Sequence, residues 1–238
     1  MNNDEIRKQA EQFARDNRQK IAKELTDKFK YVSESNPVSV FMAGSPGAGK
    51  TEFSKRLIEL LEKDNEHKIV RIDGDDLRGL IPGYTGKNSY LFQTAVSLIV
   101  ERMHDMTLDN KQTFLLDGTL SKYDKAVDNI KRSLSKNRPV LIFYVYQKPE
   151  VAWKFTKARE AAEGRNIPRD VFIEQFMGSR ETLERIQNDF KDKVSIFMVK
   201  KNFETHKVED IAQIGFNGLQ IDYHIGKRYT IDELNKLL

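Results

Sequence analysis

Residues 44–51 read Gly44-Ser45-Pro46-Gly47-Ala48-Gly49-Lys50-Thr51, a complete G-x-x-x-x-G-K-[ST] run. Its glycines let backbone N–H groups converge on phosphate oxygens, and a helix starting at its end adds the positive end of a dipole. In such a loop Lys50 would reach the β- and γ-phosphates of a nucleotide, and the Thr51 hydroxyl would ligate Mg²⁺. Three carboxylates follow in Ile72-Asp73-Gly74-Asp75-Asp76-Leu77-Arg78. Asp73 or Asp76 suits the N-cap of a helix. Asp75 can face an acceptor hydroxyl and take its proton, as a carboxylate does in a phosphotransferase. A further acid ends Phe114-Leu115-Leu116-Asp117-Gly118-Thr119. Asp117 would hold the Mg²⁺ shell, directly or through water; Thr119 would bond substrate or cap the next helix. Cations gather in the segment from Lys157 through Arg159 and Arg165 to Arg169. Guanidinium groups there can neutralise the charge spread over a transferring phosphoryl group.

These groups need a scaffold that brings distant loops to one edge. From Pro37 onward the apolar pattern alternates strands and helices. It predicts strands at 38–43, 68–72, 112–116, 139–146 and 194–200, and helices at 51–63, 88–110, 124–136, 149–163, 169–189 and 230–237. Continuous apolar runs such as Val140-Leu141-Ile142-Phe143-Tyr144-Val145 call for a parallel sheet covered on both faces. The expected fold is therefore α/β, a P-loop NTPase three-layer sandwich with a mainly parallel sheet. Its ligands would bind beyond the carboxyl ends of the strands, where each candidate residue falls. The Gly164-to-Pro168 interruption between two helical patterns reads as a hinge carrying an arginine lid. Residues 3–31 carry an apolar stripe at Ile6, Ala10, Phe13, Ile21, Leu25 and Phe29, the spacing of one docked helical face. The expected division is an N-terminal helical extension at 1–36 and a P-loop domain at 37–238. The stretch 201–229 reads as loops or short strands around Gly215, Gly218 and Gly226.

Composition narrows the chemistry. The chain has 238 residues, 40 basic and 36 acidic side chains and a net charge of +4, a balance that suits anionic small substrates and by itself makes no case for nucleic acid. Without cysteine there is no disulfide, thiolate metal site or Cys nucleophile. His67, His104, His206 and His224 lack metal-ligand spacing. The start MNNDEIRKQA is too charged for a signal peptide, and no apolar run reaches membrane-spanning length. The expected location is cytoplasmic.

Taken in order, the Gly-Ser-Pro-Gly-Ala-Gly-Lys-Thr loop, Ile72-Asp73-Gly74-Asp75, Leu116-Asp117-Gly118-Thr119 and the two-arginine segment ending Gly164-Arg165-Asn166-Ile167-Pro168 resemble the zeta-toxin family of P-loop kinases. The likeness runs over about residues 37–200. It implies transfer of phosphate from ATP, with Mg²⁺, to a hydroxyl of a UDP-N-acetyl amino sugar, by a toxin held by a small helical antitoxin. Carried over by motif, Lys50 and Thr51 serve the nucleotide, Asp75 is the base, Asp117 and Thr119 match a run that usually reads Glu-Gly-Thr, and Arg159 and Arg165 match two phosphate-binding arginines. Glu101 is the candidate for the family's acidic substrate-binding residue. The two arginines stand closer together than in the family's pattern. Two other readings stay open: a P-loop kinase acting on a nucleoside, an antibiotic or a polynucleotide 5′-hydroxyl, and a non-catalytic nucleotide switch. Asp75 beside an arginine lid favours a kinase, because a switch needs no base next to an acceptor hydroxyl.

Overall fold

The computed structural model describes residues 2–63, 67–201, 208–214, 221, 225 and 227–238. His206, His224, Gly215, Gly218 and Gly226 lie outside the described residues. Six strands form one sheet: β1 (Ser39–Ala43), β2 (Val70–Asp73), β3 (Phe114–Asp117), β4 (Val140–Tyr146), β5 (Ser195–Lys201) and β6 (Val208–Ile214), in the spatial order β2-β3-β1-β4-β5-β6. The first five run parallel, and β6 pairs antiparallel to β5 at the edge. Alternate residues of each strand face opposite layers. Phe41, Ile72, Phe114, Ile142, Tyr144, Ile196 and Met198 belong to the larger core, which also takes in buried residues of α4 (Gln93–Asp109), α5 (Tyr123–Ser135) and α7 (Arg169–Phe190). Val40, Met42, Leu115, Phe143, Val145 and Val199 belong to the smaller one with Phe53 of α2 (Lys50–Lys63). This is the three-layer α/β sandwich, with the strands' carboxyl ends opening on one side. Among the described residues no helix is long and apolar enough to cross a membrane.

Three differences from the periodicity have local causes. Helix α1 covers Asn3–Leu25, not 3–31. It opens with a capping box between Asn2 and Glu5, and the Thr26 hydroxyl donates to the Ala22 carbonyl at 2.7 Å where it stops. Phe29, beyond that end, is 98% exposed. Ala10, Ala14 and Ala22 are buried, and these small side chains let α1 pack along α4. Second, the pattern at 88–110 splits into a 3-10 turn at Ser89–Leu91 and α4 proper. Third, the short helix α3 (Gly74–Arg78) is added within the acidic run; Asp73, one of the two acids expected at an N-cap there, caps it, accepting the Asp75 N–H at 2.8 Å. Helix α6 (Pro149–Glu163) ends on Gly164, whose φ of +73° is left-handed backbone that glycine adopts without a steric penalty. Five residues, Gly164 to Pro168, separate α6 from α7. The terminal helix α8 (Ile231–Leu237) opens with a capping box between Thr230 and Glu233.

Candidate active site

A cavity of about 880 Å³ lies across the carboxyl ends of the strands, and the loop 44–51 forms part of its wall. The loop is pressed against its neighbours. A Cβ on Gly47, whose φ is +70°, would stand 2.0 Å from the Ala152 carbonyl oxygen of α6, so glycine is required by space as well as by conformation. The Gly44 N–H donates to the Thr119 carbonyl at 3.1 Å, which ties the loop to the segment after β3.

Lys50 is the first residue of α2. Its Nζ donates to the carbonyls of Gly44, at 3.0 Å, and Ser45, at 2.7 Å. Burial lowers its pKa to about 8, although Asp117 and Asp75 pull the other way. A desolvated ammonium held by neutral carbonyls attracts an anion, and the first N–H groups of α2 have no intrahelical acceptor. The loop therefore fits the phosphates of a nucleotide. The Thr51 hydroxyl and the Asp117 carboxylate supply hard oxygen donors in the cavity wall, and Ser54 Oγ, buried behind them, donates to Asp117 Oδ2 at 2.9 Å. Among the described residues no group of three His, Cys, Asp or Glu side chains makes a metal cage. One carboxylate beside a hydroxyl suits Mg²⁺ shared with phosphate and water.

Opposite the loop, Asp75 sits in the first turn of α3 among arginines. Its Oδ1 accepts from Arg78 and its Oδ2 from Arg165, with Arg159 at 3.6 Å. Burial by itself would raise the Asp75 pKa; the charges of Arg165, Arg78 and Arg159 outweigh it and hold the carboxyl below its usual range. Arg78 is buried and also donates to Gln93 Oε1 at 2.9 Å, which fixes its guanidinium. Arg159 comes from the last turns of α6 and Arg165 from the segment between α6 and α7. Asp73 is different. Burial, with Asp117 and Asp75 nearby, raises its pKa to about 6 despite Arg71 and the Asp75 N–H.

The structure thus gathers Lys50, Asp75, Asp117, Thr119, Arg159 and Arg165 around one cavity. Several expectations need correction. Asp117 also has a protein partner that sequence reasoning did not include: Arg71 Nη2 donates to its Oδ2 at 2.8 Å and also pairs with Asp73, while Nη1 pairs with Asp76. Thr119 caps no helix; its hydroxyl bonds that of Ser121 at 2.9 Å, and α5 begins later. Glu101 is exposed on α4; Gln93 and Ser97 of that helix line the cavity instead. Arg169 donates to the Asn235 carbonyl in α8, outside the cavity. Sequence reasoning missed Arg71, Arg78, Ser54 and Gln93. Arg71 had one signal, a cation breaking an otherwise apolar strand; the others had none.

The family model described as Zeta toxin matches residues 21–211. No curated protein matches the sequence. Among solved structures, the chain is similar to one described as the PezAT chromosomal toxin-antitoxin system of the human pathogen Streptococcus pneumoniae, with TM-score 0.64 and 17% identity over 93% of this chain and 97% of that one. It is also similar to a structure of AvrRxo1-ORF1:AvrRxo1-ORF2 with ATP, with TM-score 0.56 and 14% identity over 88% of this chain and 65% of that one. At these identities the likeness speaks for the fold.

Proposed function

The chain belongs to the zeta-toxin family, and on that premise we propose that it is a kinase that transfers the γ-phosphate of ATP to a hydroxyl of a UDP-N-acetyl amino sugar. The observation that carries the reading is Asp75, which lines one cavity with Lys50 and is reached by Arg159 from the end of α6 and by Arg165 from the segment after it. A carboxylate across the phosphate loop is where an acceptor hydroxyl needs a base. In the ligand-free site the arginines depress its basicity. Phosphate oxygens offer both guanidiniums a competing anion, so donor binding frees Asp75 to accept the hydroxyl proton. Lys50 steadies the β- and γ-phosphates, and Arg159 and Arg165 neutralise charge on the phosphoryl group as it moves. Thr51 and Asp117 would hold Mg²⁺, which would supply positive charge to offset that of the phosphates.

The toxin-antitoxin description of the PezAT structure supports an antitoxin as partner, which this reading takes to be small and helical. Residues 1–36 stand in this reading as an extension whose helix braces α4, on a kinase domain at 37–238. The test is phosphate transfer from γ-labelled ATP to a panel of UDP-sugars, nucleosides and 5′-hydroxyl DNA. Labelled UDP-N-acetyl amino sugar is the expected product. Transfer to nucleosides or DNA ends alone would overturn the acceptor and leave the kinase; ATP turnover indifferent to every acceptor would return the chain to a nucleotide switch.

A further inference from the structure

Lys201 ends β5, yet its side chain reaches the phosphate loop. Strand alternation puts Phe197, Val199 and Lys201 on one face, and Phe197 and Val199 pack there with Val40, Met42, Phe143 and Val145. An ammonium thus closes an apolar row. The pairing of β5 with β6 slips between Lys200 and Lys201. Such irregularities beside sites re-aim a side chain. Lys201 is 8% exposed, and its Nζ donates to the Gly49 carbonyl at 3.2 Å. A Cβ on Gly49 would stand 2.1 Å from that nitrogen, so the glycine leaves the ammonium its place. Burial lowers the Lys201 pKa, with Glu52 opposing and Arg56 adding to the effect. One backbone carbonyl compensates a buried ammonium poorly. The cavity that Lys50 and Asp75 line also reaches Lys201 and Arg56.

The sheet order says which anion belongs there. Strand β1, which delivers the loop, has β3 and β2 on one side and β4 and β5 on the other. Asp75 and Asp117 follow the first pair. The charges that act on Lys50 are Asp117, Asp75, Arg165 and Asp73; those that act on Lys201 are Glu52 and Arg56. Lys50 Nζ sits on the Gly44 and Ser45 carbonyls that open the loop, and Lys201 Nζ on the Gly49 carbonyl near its end. A nucleotide whose γ-phosphoryl group faces Asp75 must extend away from it, over β4 and β5. We propose that Lys201 is a nucleotide-binding residue that meets the α-phosphate and ribose end of the donor. The inference rests on the kinase reading and adds to it a second cation with a separate task. Lys50 serves the end that transfers. Lys201 serves the end that ATP and ADP share.

Calorimetric titration of ATP and of ADP into the full chain tests this, with wild type, Lys201→Met and Lys201→Arg compared at pH 7. Lys201→Met is expected to bind both nucleotides about tenfold or more weakly and by a similar factor, the scale of a lost charge-assisted hydrogen bond. Lys201→Arg keeps the charge and should stay within about threefold of wild type. Equal affinity of Lys201→Met and wild type for both nucleotides overturns the assignment and leaves the kinase reading intact. A loss confined to ATP overturns the placement. Wild type binding neither nucleotide would remove the kinase reading itself. Should Lys201→Met fail to fold, amine acetylation of wild type decides: protection of Lys201 by ADP supports the proposal, and equal labelling with and without ADP ends it.

Discussion

Replacing Asp75 by Asn removes one negative charge from among three guanidinium groups with almost no change in volume. The carboxylate accepts from Arg78 and Arg165 and lies 3.6 Å from Arg159. Breaking a buried ion pair by removing one partner costs about 3–5 kcal/mol. Three features reduce that here. The Asp75 side chain is 28% exposed, Arg78 keeps Gln93 at 2.9 Å, and Asn retains one carbonyl as an acceptor. The expected loss of ligand-free stability is about 1–2 kcal/mol at pH 7. Its pH dependence has a definite sign. The folded-state pKa is depressed, so the contribution is complete above the unfolded value near about 4 and is lost as pH falls through the folded value. The gap between wild type and Asp75→Asn should therefore be constant at neutral pH and close below about pH 4. Catalysis should suffer more than stability. Loss of a general base lowers turnover by about 10²–10⁴-fold, or about 3–5 kcal/mol in the barrier, whereas ATP affinity should hold or rise as Arg159 and Arg165 lose their competitor. Urea unfolding across pH, ATP titration and initial transfer rates measure the three quantities. Turnover within tenfold of wild type in Asp75→Asn, with Asp73→Asn or Asp76→Asn inactive, would refute the assignment of the base.

Lys50→Met should abolish transfer and yet stabilise the ligand-free protein by about 1–2 kcal/mol at pH 7, because an ammonium whose pKa burial lowers to about 8 is destabilising while charged; the gain should shrink above pH 8, and a lower melting temperature at pH 7 would contradict it. Arg159→Ala and Arg165→Ala should each lower kcat more than they raise KM for ATP, since their charge acts most on the leaving phosphoryl group; changes in KM alone would make both surface residues. Gly47→Ala should lose ATP binding while keeping the circular dichroism of the sheet and helices, because its Cβ must displace the loop from Ala152; unchanged ATP affinity would show that the loop has room to spare.

What was legible in the sequence is local. The loop 44–51 is contiguous, the apolar strands before it and before Asp73 and Asp117 announce themselves by composition, and a carboxylate at a strand end is positioned by the strand alone. Sequence patterns located five strands and the general α/β sandwich for that reason. They failed where a neighbour from elsewhere sets the outcome. The apolar stripe of α1 runs on to Phe29, but the helix stops at Thr26, whose hydroxyl takes a backbone carbonyl. Strand β6 was legible only as one of the loops or short strands of 201–229, because one of its faces looks outward and its place depends on β5; Ile214 is buried and Ile211 is 48% exposed. The charges depend most on tertiary structure. Arg165 reaches Asp75 across 90 residues of sequence, and Arg71 reaches Asp117 across 46. The order β2-β3-β1-β4-β5 decides that Asp75 and Lys201 lie on opposite sides of one loop. Residue type fixes which charges a chain carries, but Coulomb energy and desolvation depend on distance and burial, and only the assembled sheet sets those.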